Sequence, residues 1–264
     1  ANTLTYRVLA NRIWQHHFGQ GLVGTPSDFG LKGARPTHPA LLDFLAGRLI
    51  ADGGRLKPLH RLILLSATYR QSSQSNPVGR ELDPQNSLLW RMNPQRLEAE
   101  LLRDTLLFVS GNLNLEMGGK GIKPRIRPEL LPASQRNKWP DLASEGPTQW
   151  RRSVYVYVKR QLLLPMLEIF DAPTTTDSCA QRLVSVLPTQ ALVLMNDEFV
   201  EDQAGFLASR VSREAGSELA AVLNRMYTWA MSCPPATPRL QRALQFVQSR
   251  ELANLAAKAS PEKA

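Results

Sequence analysis

Asn93–Gly111 reads NPQRLEAELLRDTLLFVSG, and its spacing decides the fold class. Asn93-Pro94 has the form of a helix start, a capping side chain followed by a residue whose fixed φ suits the first turn. Leu97, Leu101, Leu102, Thr105, Phe108 and Val109 then recur at helical intervals up to Gly111, which reads as the stop. One amphipathic helix follows from this pattern. Its signature returns on both sides.

Towards the N-terminus, residues 4–18 place Leu4, Val8, Leu9, Ile13 and Phe18 near helical spacing, with Gly19 and Gly21 as the stop. After a loop over 24–36, Thr37 can cap a helix carrying Leu41, Leu42, Leu45, Leu49 and Ile50, ended by Gly53-Gly54. Pro58 suits the first turn of a third helix with Leu59, Leu62, Ile63 and Ala67. The three together predict an antiparallel helical array.

Towards the C-terminus, periodicity vanishes over 112–149 while Gly and Pro recur, so a long irregular insertion is expected, of the kind that is usually functional, flexible or both. Its cations Lys120, Lys123, Arg125, Arg127, Arg136 and Lys138 could meet an acidic polymer or another domain, or form a solvated loop. Val154-Tyr155-Val156-Tyr157-Val158 favours a short strand by β-branching and aromaticity. Residues 162–170 read as a buried helix with Pro165 in its first turn, and DAPTTTDS at 171–178 as a turn. Helices over 188–195 and 199–211 flank Asn196-Asp197, two more cover 219–231 and 239–255, and the terminal AKASPEKA frays. The fold class is mainly α: a multi-helix array with a small β element and a long irregular insertion. We read it as one domain over 1–264, with an N-terminal helical half (1–111), the insertion (112–150), and a strand plus C-terminal helical half (151–264).

The chain has 264 residues, and a hydrophobic fraction of 43% can supply an ordinary core. No apolar run approaches the roughly 18 residues of a membrane span. The opening ANTLTYR has neither an initiator Met nor a signal core, as expected of a segment inside a longer precursor. A net charge of +9 invites nucleic acid. However, Arg7, Arg12, Arg48, Arg61, Arg70, Arg91, Arg96 and Arg103 are dispersed, and no helix-turn-helix, zinc finger or aromatic-basic strand signature accompanies them. Nucleic acid is therefore not an expected partner. Cys179 and Cys233 form no CxxC or CxxCH, which excludes covalent haem attachment and a four-Cys zinc site in this chain. They permit a disulfide or two buried free thiols.

Several motifs fail on mechanism. Asp28-Phe29-Gly30 and Leu59-His60-Arg61 echo kinase signatures, but in reversed order and without a glycine-rich phosphate loop. No GxSxG elbow surrounds Ser73, Ser110 or Ser153. His16, His17, His38 and His60 could converge on a metal, yet no pair has HExxH spacing. Hydrogen-bonded structural histidines are the plainer reading, and no metal is expected. The densest charge set is Arg152, Lys159, Arg160, Asp171, Asp177 and Arg182, interleaved with apolar residues. Such groups must be paired or line a cleft. Arg152, Lys159 and His60 are the candidate binding residues, and Asp171, Asp177, Arg160 and Arg182 the candidate catalytic ones.

The segments RVLANRIWQHHFGQGLVGTPSDFG, PTHPALLDFLA, LHRLILLSATYRQSS, DPQNSLLWRMNPQRLEAELLRD and the block from Arg151 onward resemble, in this order, a planctomycete C-terminal domain of unknown function, family 1553. The resemblance covers about residues 4–211. It implies a C-terminal module of an exported, multidomain protein, extracytoplasmic (periplasmic or cell-surface), often with a cytochrome c-like module, so that any haem would sit on a neighbour. No cofactor is expected in this chain, and no catalytic residue carries over. Where relatives have a tyrosine-rich helix running into a Gly-Arg-Pro turn, this chain reads MYTWAMSCPPATPRL. The expected role is structural or interactive, packing on other domains of the same precursor. The rival is an enzyme or binding domain for a complex carbohydrate, with Asp171 or Asp177 as acid/base and Arg160 or Arg182 orienting an anionic group.

Overall fold

Helix α1 (Thr3–Phe18) begins where the Asn2 side chain accepts from Leu4 N and ends at Gly19, whose φ of 80° closes the last turn. The structure, a computed structural model, describes residues 2–135, 138–160 and 162–259, with side chains up to 252. Among them are eleven α-helices and only isolated β-bridges, a mainly α fold. Arg136, and the part of the expected frayed tail from residue 260 on, lie outside the described residues. No helix among them is long and apolar enough to cross a membrane.

The chain divides into two compact units, Ala1–Arg96 with Ser178–Arg182, and Leu97–Asp177 with Leu183–Ala264. In the first, α1 packs on α2 (Pro39–Ala51) and α3 (Leu56–Leu64). Ala10, Ile13, Trp14 and Phe18 meet Leu42, Leu45, Leu49, Leu59 and Ile63 in one buried core. Thr37 does not cap α2. Its hydroxyl and backbone N–H both turn to Leu22 O, and Pro39 opens the helix after an N-cap His38 that makes no side-chain cap. Short α4 (Ala67–Arg70) and α5 (Pro77–Leu82) follow. The Gln15 amide donates to Ala180 O at 3.2 Å, tying 178–182 to this unit.

The second unit begins with α6 (Ala99–Ser110), which starts after Glu98, not at Asn93-Pro94. Asn93 is occupied elsewhere, donating to Phe18 O at 3.1 Å and accepting from the buried Asn86 amide. The buried face of α6 also differs from expectation. Leu97, Leu101 and Phe108 are exposed, while Ala99, Arg103, Leu107 and Ser110 point inward. Hydrogen bonding turns the helix this way, because the acceptors that cover α6 need the Arg103 guanidinium.

The insertion is ordered by its own apolar residues. Ile122, Ile126, Leu131 and Trp139 join Ala99, Val156, Leu164, Leu167 and Phe170 in a second core. The strand expected over 154–158 is instead a 3-10 turn, Ser153–Tyr155, followed by a single parallel bridge from Val156 to Ile122. Only Val156 of that run's valines is buried, so one ladder step satisfies the pattern. Pro165 opens α7 (Pro165–Ile169) as expected. Beyond it come α8 (Pro188–Asn196), α9 (Glu198–Ala215), α10 (Leu219–Met231) and α11 (Thr237–Ala259). Asp197 caps α9 by accepting from Phe199 N. Arg210 on α9 donates to the terminal carbonyls of α6, Phe108 O and Val109 O, at 3.1 and 2.9 Å, and lies 3.6 Å from the Trp229 ring centre. Both cysteines are exposed, so neither is the buried thiol that the sequence allowed.

Candidate functional site

The polar chemistry of the second unit is organised by two buried arginines. Arg103, 1% exposed, sits in mid-helix and crosses into the insertion. Its Nη1 donates to Arg151 O (3.0 Å) and Ser153 Oγ (3.3 Å), and its Nη2 to Gln149 O (2.8 Å). The neighbouring Asp104 carboxylate accepts from Ser153 N at 2.7 Å. One turn of α6 thus holds the end of the insertion from both sides, as a planar multi-donor cation is suited to do.

Glu145 faces Arg103 at 4.0 Å with its side chain 5% exposed. One carboxylate oxygen accepts from Arg125 N at 2.7 Å, and the other, Oε2, is buried with no hydrogen-bond partner. Burial pushes the Glu145 carboxyl up from its ordinary value, with the Arg103 and Arg125 charges pulling the other way. Burial likewise presses Arg103 down against the opposing charges of Glu145 and Asp104. A narrow cleft of about 50 Å³ lies beside the pair, bordered by Phe199, Met166 and Asp197. Arg125 on its rim is engaged by Glu198 at 3.2 Å, Asp202 at 3.3 Å and Ala143 O at 2.9 Å.

Arg151, 6% exposed, anchors the other side of the insertion. Its Nη1 donates to Lys120 O at 3.0 Å, and its Nη2 to Glu116 O at 3.1 Å and to Gly118 O. The guanidinium carbon stands 3.9 Å from the Tyr155 ring centre. Tyr155 OH accepts from Gly118 N at 2.7 Å. That contact, then the Arg152 and Arg151 charges, holds the phenol below its ordinary pKa. Gly118 and Gly119 both have left-handed φ, 82° and 79°, which lets the loop turn back over Arg151 without a Cβ penalty. Beside them opens a cleft of about 480 Å³.

The residues singled out from sequence fall elsewhere. The Asp171 carboxylate accepts from Ser185 N and Oγ at 2.9 and 2.8 Å, pinning the segment before α8. Asp177 is exposed and accepts from Thr176. Arg160 is exposed, with its carbonyl facing Thr175, and Arg182 is half-buried. Lys159 donates to Gln135, and the Arg152 guanidinium lies 5.8 Å from the Tyr155 ring centre with Nε unpartnered. His17 Nε2 and His60 Nδ1 are 2.8 Å apart, and the Tyr69 ring is set edge-on to His17. Burial, then the His60 and His16 charges, lowers the His17 pKa. His16 is exposed and His38 pairs with Thr37 at 3.0 Å. Among the described residues, no three His, Cys, Asp or Glu side chains gather as a metal site.

Sequence reasoning missed Arg103, Glu145 and Arg151 as one system. An arginine inside the apolar run LLRDTLLF was the available signal for the first. Glu145 stands in an aperiodic stretch that offers none.

These features define a mainly α-helical chain in which buried Arg103 and Arg151 hold an irregular insertion. A family model described as PSD1, protein of unknown function (DUF1553), matches residues 1–247, and the chain belongs to that family. No curated protein matches the chain, and no solved structure does.

Proposed function

We propose that this domain is a non-catalytic assembly module that packs on other domains of the same extracytoplasmic precursor and helps present a haem-bearing or substrate-binding neighbour. The resemblance of its segments to a planctomycete family that accompanies cytochrome c-like modules supports the setting. The observation that carries the docking role is an exposed apolar run. Leu183, Val184, Val186 and Leu187 are 83, 67, 90 and 53% exposed, and Met195 on α8 is 78% exposed. Large apolar side chains exposed in close succession along the chain are the material of an interaction site on a folded domain. The engaged carboxylate of Asp171 is the charge chemistry expected of a scaffold. The carbohydrate-enzyme reading, with Asp171 or Asp177 as acid/base, gains no comparable support, since neither residue lines the two clefts of the insertion.

The test is calorimetric titration of this chain against the separately produced remainder of its precursor, with haem absorbance followed where a cytochrome module is present. Stoichiometric docking with a negative heat-capacity change is expected. Val184→Glu with Val186→Glu should weaken it by about tenfold or more, because burying an unpaired charge is costly. Absence of association, or docking indifferent to both substitutions, would overturn the proposal.

A further inference from the structure

The larger cleft of the insertion carries chemistry that the docking role does not use. Of its ionisable lining residues, Lys120, Lys123 and Arg151 are cations, and Glu116 is the lone carboxylate. Lys120 and Lys123 have no carboxylate partner among the described residues. Lys123 instead lies over the Trp139 and Tyr157 rings, its Nζ 5.7 and 5.4 Å from their centres. Among the described residues no acid pairs with Arg151 either: carbonyl oxygens and the Tyr155 face hold it, and its buried Nε has no hydrogen-bond partner there. A buried, unneutralised guanidinium is costly to retain. An orphaned N–H on it adds to that cost.

We propose that this cleft binds an oxyanion, a sulfate, phosphate or carboxylate group, carried on a small polar body such as a sugar ring. Arg151, rigidly held, supplies the fixed charge. Lys120 and Lys123 supply ammonium donors, and Thr148 and Gln149, which also line the cleft, carry polar side chains suited to hydroxyls. A volume of about 480 Å³ is within the range of small-molecule sites and exceeds what a bare anion needs. The contrast with the Glu145 cleft is one of charge: there, Arg125 is already saturated by two carboxylates.

The experiment is a titration of the whole chain, at low salt, with glucose 6-sulfate, sodium sulfate and glucose, read by amide NMR shifts of 116–123 and 148–151. Lys120→Gln with Lys123→Gln is the variant of choice, since both ammonium groups lie outside the buried core and the fold should survive. Saturable shifts with glucose 6-sulfate and none with glucose, weakened roughly tenfold by the double substitution and by raised salt, support the site. Equal binding of sodium sulfate would overturn the sugar-borne ligand, since the ring would then contribute nothing to recognition. Glucose binding as well as its sulfate, no anion reaching saturation, or a double variant that binds unchanged would each overturn it.

Discussion

Replacing Arg103 with methionine keeps the apolar stem and deletes the guanidinium, which isolates what that charge does. The substitution removes the donors to Arg151 O, Ser153 Oγ and Gln149 O and strands Glu145, 4.0 Å away and 5% exposed. Hydrogen bonds from a charged donor contribute about 1.5–3 kcal/mol each. Removing one partner of a buried ion pair costs about 3–5 kcal/mol. These figures describe overlapping losses, so the expected destabilisation is about 3–5 kcal/mol, a large share of the roughly 5–15 kcal/mol that holds an ordinary domain.

The loss should also depend on pH. Folding already raises the Glu145 pKa above its reference of 4.5, against the pull of Arg103. Without Arg103 the folded value climbs further. A carboxyl that holds its proton more tightly when folded favours the fold below the unfolded pKa and forfeits that advantage as pH rises through the folded one. The penalty of Arg103→Met should therefore grow from pH 4.5 to 7.5, by up to about 1.4 kcal/mol for each unit of extra displacement reached. Adding Glu145→Gln should recover at least about 1 kcal/mol at neutral pH. Urea unfolding of the four variants of this cycle at both pH values is the assay. A penalty below about 1 kcal/mol, or one equal at both pH values, would refute the reasoning.

Two further outcomes follow from the geometry. His17, whose pKa is lowered by burial first and then by His60 and His16, should show an NMR titration midpoint below 6.5. Its contribution to stability should be complete above pH 6.5 and fall away as pH drops through the folded value, and a midpoint at or above 6.5 would contradict this. Asp171→Ala should cost about 1–2 kcal/mol by urea unfolding, because two donors of Ser185 lose their acceptor, and an unchanged midpoint would show that the contact is dispensable.

Helix ends were the most legible part of the sequence because their signals are local. Gly19, Gly111, Pro165 and Asp197 each act at the terminus where they stand. Asn93-Pro94 carried an equally good local signal and failed, since Asn93 is held by Phe18 O and Asn86, one of them 75 residues away in the chain. The rotation of α6 was hidden for the same reason. An apolar count favours Leu97, Leu101 and Phe108, whereas the carbonyls that summon Arg103 inward belong to residues 149 and 151. The VYVYV run had strand propensity but only Ile122 to pair with, and propensity does not supply a partner. The clefts could not be read at all, because an orphaned Oε2 on Glu145 or Nε on Arg151 is a property of packing.

The two ends of the insertion meet. Asn114 N donates to Trp150 O at 2.9 Å, and Asn114 bridges Arg151. Everything between them leaves and re-enters the helical frame through one doorway, so residues 115–149 behave as a cassette. Loops within it can lengthen at an entropic cost that rises only with the logarithm of chain length, whereas any replacement must refill the core places of Ile122, Ile126, Leu131 and Trp139. The lock is Arg103: Arg151 O and Ser153 Oγ stay with the frame, whereas Gln149 O and the Glu145 carboxylate leave with the cassette, so a graft must bring a carbonyl and an acid of its own to that guanidinium.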